Sequence, residues 1–102
     1  MDAEQSIKRL EQEWDYDAGF FGLLRRAEFD PTGFGRLLQA IKSIDLRDDT
    51  TVSRRLVALL WYMPLFMGWQ KERLREAGGD VAELERATNT VEGLLETILG
   101  VP

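Results

Sequence analysis

Leu56-Val57-Ala58-Leu59-Leu60-Trp61-Tyr62-Met63-Pro64-Leu65-Phe66-Met67-Gly68-Trp69 contains no charged residue. A helix apolar on one side only shows a polar residue every third or fourth position. None interrupts here, so the pattern predicts a central helix buried on most sides. It begins from about Thr51, after the capping residues up to Thr50, with Arg54 and Arg55 near its wet end. Pro64 removes a helical hydrogen bond and crowds the carbonyl of Leu60, at a cost of about 3 kcal/mol. The apolar run continues across it without turn residues. The expectation is therefore a kinked helix, or two helices meeting at Met63-Pro64, and not a loop. From Leu65 to Glu76 the pattern becomes amphipathic, with Phe66, Trp69 and Leu74 inward and Lys71, Glu72, Arg75 and Glu76 outward. Trp69 and Tyr62, each with a polar atom needing a partner, are nevertheless the aromatics expected to reach the surface if any does.

Other helices read from their spacing. Ala3, Ile7, Leu10 and Trp14 form one stripe, which predicts a helix over roughly 3–13. Asp15-Tyr16-Asp17 interrupts it, and either Asp is suited to cap the next helix. Residues 18–27 then place Phe20, Leu23, Leu24 and Ala27 on one face. Gly19 and Gly22 weaken that helix by about 1 kcal/mol each relative to alanine. Two glycines among aromatics point to a second backbone in close approach. Asp30-Pro31 reads as an N-cap followed by proline at the first helical position. The helix after it presents Phe34, Leu37, Leu38, Ile41 and Ile44 on one side. Residues 45–50 are a polar connection, with Leu46 tucked under the core. Gly78-Gly79 is a helix stop. Asp80 and Glu83 have the spacing of a capping box. The last helix carries Val81, Leu84, Ala87 or Thr88, Val91, Leu95 and Ile98 in the alternation of bundle helices, and Gly100 ends it. No strand alternation, hairpin signal or repeat appears. The fold predicted is all-α, a compact bundle of five to six helices around a buried, Pro-kinked central helix.

Length narrows this to a single helical domain over 1–102. Three Trp, five Phe and many Leu supply enough apolar area to offset chain entropy. With no Cys and no His, the chain lacks disulfides, thiolate ligands, the usual general base and the commonest metal ligand. The net charge of −5 argues against nucleic acid and anionic membrane as partners. The N-terminus has neither the basic nor the apolar region of a signal peptide. The apolar run is shorter than the roughly 20 residues a bilayer needs. A cytoplasmic protein is the expectation.

Charge is unevenly spread. Residues 1–17 carry six acids against Lys8 and Arg9, residues 80–102 carry five acids against Arg86, and the middle is net basic. Such acidic ends either pair with the basic middle across helix seams or form a surface that steers a basic partner.

Candidate chemistry is sparse. Asp15 and Asp17, or Asp45, Asp48 and Asp49, offer oxygen ligands to a cation, but no calcium-loop pattern follows and capping explains them better. Gly33-Phe34-Gly35 lies inside a helix and is no phosphate loop. Arg54, Arg55, Lys71, Arg73 and Arg75 are basic patches with acidic flanks, unlike a nucleic-acid surface. Neither catalytic residues nor a cofactor or metal site is expected. By elimination the chain reads as a non-catalytic protein-protein interaction module. Partner-binding candidates are Glu11, Glu13, Asp15, Tyr16 and Asp17, where an aromatic anchor sits among acids, together with Trp69 and Arg73. In size, charge and helix content the chain resembles the small bacterial immunity proteins, which implies an inhibitor neutralising a toxic enzyme. No family motif is matched to any residue, so no site follows from that likeness. Two alternatives stand beside it. One is a small-molecule-binding helical domain using the Trp61–Trp69 aromatic cluster, and the other is a self-associating structural subunit.

Overall fold

Asp2 starts the first helix by accepting a hydrogen bond from the Gln5 backbone N–H at 2.8 Å. This computed structural model describes residues 2–102, and among them every regular element is a helix. In order they are α1 (Ala3–Gln12), α2 (Phe20–Arg25), α3 (Pro31–Lys42), α4 (Arg54–Trp69), α5 (Lys71–Glu76) and α6 (Val81–Leu99). The principal packing runs from α1 to α4, from α4 to α6, from α6 to α3, and from α3 back to α1. Four helices thus form a ring, with α2 laid on α3 and α5 on α6.

The core follows the expected stripes. Leu10, Leu37, Ile41, Leu60, Met63, Met67, Leu84 and Val91 are fully buried. The α4 helix contributes Leu56, Leu59, Leu60, Met63, Phe66 and Met67. Leu46 packs against this core from the connection, as expected. Leu38 does not reach it: the buried side of α3 is Gly33, Leu37, Ala40 and Ile41, which leaves Leu38 half-buried at the flank.

Helix ends depart from expectation where side-chain capping decides them. Ser53, and not the threonines before it, caps α4, its Oγ accepting from the Leu56 N–H at 3.3 Å. The helix then continues through Pro64 and ends at Trp69, with Gln70 as the break before α5. Asp30 occupies the N-cap position with Pro31 next, yet its side chain makes no capping bond. Asp80 Oδ1 accepts from the Glu83 N–H at 3.0 Å, half of a capping box. Gly78 stands in the left-handed region, with the Gly79 N–H bonded to the Leu74 carbonyl and the Gly78 N–H to that of Arg75. That is a Schellman stop. The end of α2 repeats it with Ala27 at φ 62°, where glycine would be free of strain.

The expected close backbone approach is present. A Cβ at Gly22 would overlap the Asp15 carbonyl oxygen, and one at Gly19 would overlap the Glu13 carbonyl. The chain therefore doubles back after α1 and brings the start of α2 onto residues 13–16.

Candidate protein-docking face

Within the ring α4 packs against α1 and α6, and beyond it against α5, while the side bearing Trp61, Leu65 and Trp69 stays open. An apolar run without polar markers predicts burial on most sides, but one face here meets solvent. Trp61, Leu65 and Trp69, four residues apart along one helix face, are 53%, 40% and 59% exposed. Trp69 thus points outward, not inward, because the inward positions at this end of α4 are taken by Phe66 and Met67.

Both exposed indoles rest on Tyr62. Its ring meets Trp61 and Trp69 edge-on, each at a centroid distance of 5.7 Å. Tyr62 is half-buried and lies 6.0 Å from Trp14, which stacks on Phe21 at 4.4 Å. A continuous run of ring contacts therefore ties the surface stripe to the core.

Each side of the stripe has a concavity. Toward α6, a notch of about 420 Å³ is lined by Trp61, Pro64, Leu65, Gly68, Trp69 and Glu92. Toward α1, a cleft of about 360 Å³ is bordered by Trp14, Arg25, Arg55, Trp61 and Tyr62. The Arg25 guanidinium lies 5.7 Å from the Trp14 ring and 5.3 Å from the Phe66 ring, and makes no ion pair among the described residues. Trp14 Nε1 is buried and has no hydrogen-bond partner among the described residues.

The acidic candidates are spent differently. Glu13 is only 6% exposed. Its Oε1 accepts from the Phe20 N–H at 3.0 Å and from Arg36 Nη2 at 3.1 Å, and its Oε2 accepts from Arg36 Nε at 3.2 Å. Gly19, at the N-cap of α2, has no side chain to offer, and Glu13 supplies the missing acceptor. The expectation of a surface role for Glu13 is corrected accordingly: it is an interior brace. Its hydrogen bonds hold Arg36 more firmly protonated than an ordinary arginine.

Glu11 pairs with Arg55 at 2.7 Å, joining α1 to α4. Asp15 Oδ2 accepts from the N–H groups of Asp17 and Ala18, so it caps the reverse turn and not α2. Asp17 is exposed. Tyr16 is exposed under the guanidinium of Arg26, 4.8 Å from its ring. Arg73 donates to the Arg25 carbonyl at 2.6 Å and ties α5 to the end of α2. Glu11, Glu13 and Asp15 therefore bond inside the chain, while Tyr16, Asp17 and Trp69 stay available.

Compared with protein-family models, curated proteins and solved structures, the chain matches none.

Among the described residues, no three His, Cys, Asp or Glu side chains gather where they could hold a metal ion. Nor is any helix long and apolar enough to cross a membrane. Leu65, Arg25, Gly68 and Glu92 belong to the α4 face or its borders and were not singled out by sequence reasoning. The available signal was spacing: Trp61, Leu65 and Trp69 recur at four-residue intervals, with Pro64 and Gly68 between them.

Proposed function

We propose that the protein is a non-catalytic interaction module that docks a polypeptide through the outward face of α4. The observation that carries this reading is the stripe of Trp61, Leu65 and Trp69, exposed together on a helix otherwise given to the core. Contiguous exposed apolar patches on soluble proteins mark interaction sites. Tryptophan is enriched among residues that dominate binding energy. Here both indoles are held against Tyr62 before any partner arrives, which lowers the ordering cost of association.

Electrostatic steering by the acidic corner is secondary in this reading. Glu11 and Glu13 are engaged by Arg55 and Arg36, so Asp17 beside Tyr16 is the acid left to steer a basic partner. The bulk likeness to immunity proteins assigns no residue to the α4 face.

Photo-crosslinking in the source cell tests the proposal. A benzophenone amino acid at position 65 should yield an adduct with a second polypeptide, whereas the same group at exposed Arg86 should not. No adduct from position 65, or identical adducts from both positions, would overturn it.

A further inference from the structure

We propose that the occupant of the α4 face is a second copy of this chain. The inference rests on reading that face as a docking surface, and three features of the face favour a copy over an unrelated protein.

The first is shape. The same face carries the exposed apolar side chains Trp61, Leu65 and Trp69 and, walled by them together with Pro64 and Glu92, a notch of about 420 Å³ with Gly68 in its lining. Knob and hole on one surface are what a twofold interface requires, because residue i of each copy meets residue j of the other.

The second is Gly68 itself. Glycine inside a helix weakens it relative to alanine. A Cβ at Gly68 would meet nothing within 4 Å, as is also true at Gly35 and Gly93, but of these three Gly68 lines the notch beside the exposed stripe. An outside surface in close approach supplies a reason for glycine there.

The third is charge. On the α1 side of the stripe, Arg25 makes no ion pair among the described residues. On the α6 side, Glu92 borders the notch and is likewise unpaired among them. A twofold axis running along α4 turns the Arg25 side of each copy onto the Glu92 side of the other. A partner of uniform charge would suit one side and be repelled by the other.

Sedimentation velocity and light scattering of the full chain, from low micromolar to submillimolar concentration, test the proposal. The expected species has twice the 11.7 kDa chain mass. Gly68→Gln should weaken self-association by about tenfold or more while leaving the thermal midpoint of the diluted monomer undiminished, since the added side chain meets open space. Glu92→Arg should weaken it similarly, and Glu92→Arg combined with Arg25→Glu should restore it. Arg25 also covers Trp14 and Phe66, so if the combined variant fails to fold, Gly68→Gln and Glu92→Arg carry the test alone. A chain that stays monomeric throughout, or a dimer indifferent to both single variants, would overturn the proposal. A monomer that still crosslinks from position 65 to another polypeptide ends the second-copy proposal and leaves the docking reading standing. A monomer without adducts ends both.

Discussion

The corner between α1 and α2 and the outward face of α4 are built from the same materials and end in opposite states. Each combines tryptophan, further aromatic rings, glycine, an acid and an arginine. In the corner, glycines at 19 and 22 let two stretches of backbone nearly touch. Trp14 then stacks on Phe21, and Glu13 finds the Phe20 N–H and Arg36. On α4, Trp61 and Trp69 have Tyr62 behind them and solvent in front. Gly68 has open space above it, and Arg25 and Glu92 stand on opposite sides of the stripe. Glycine stands next to aromatic residues in both places, but only in the corner does another stretch of backbone press against it; at Gly68 nothing comes within 4 Å.

Variants can break that comparison, beginning with the largest effect. Phe21→Ala removes a fully buried ring that touches Trp14, Phe20 and Phe66 and should cost about 3–5 kcal/mol. At about 4–8 °C per kcal/mol, the thermal midpoint should fall far enough to see in any melting experiment. A small shift would mean that the corner is not sealed.

Glu13→Gln should cost about 2 kcal/mol in urea denaturation. The replacement still accepts from Phe20, but it removes the charge facing a half-exposed Arg36. Stability equal to the wild type would place Glu13 back at the surface.

Trp69→Ser should cost no more than about 1 kcal/mol, the scale of its single edge contact with Tyr62. A loss as large as that of Phe21→Ala would show that α4 has no open face.

Smallest of all is Asp45→Asn. Hydrogen bonds from Arg47 hold the Asp45 carboxyl below the usual carboxylate range. A depressed carboxylate contributes stability above its unfolded pKa and loses it as pH falls through the folded one. The variant should match the wild type in its thermal midpoint's dependence on pH down to about pH 4 and decline slightly less steeply below that. Identical acid limbs would mean that the pair contributes nothing.

Much of the fold was legible because local chemistry settled it. Asp30-Pro31, Gly78-Gly79-Asp80 and the stripe of α6 each announce a helix boundary or face within a few residues. The orientation of α4 was not legible, for a definite reason. A helix face is read from the contrast between polar and apolar positions, and residues 56–69 offer none. Only the ring of helices, a property of the whole chain, selects Trp61, Leu65 and Trp69 for the outside. Glu13 escaped detection for a related reason. Its role depends on Arg36, far along the chain, and on a reversal that turns the Phe20 N–H toward it. Locally it is one more acid at the end of a charged helix.

The tight reversal at Gly22 has a consequence for how this chain can change over time. Most positions admit several residues at a modest loss, but here any side chain would collide with backbone at Asp15 and Tyr16. Backbone cannot move aside as a flexible side chain can. Lineages that retain the corner are thus confined to glycine at 22, and at 19 for the same reason. A folded relative with valine at 22 would have to route its chain differently between the first two helices.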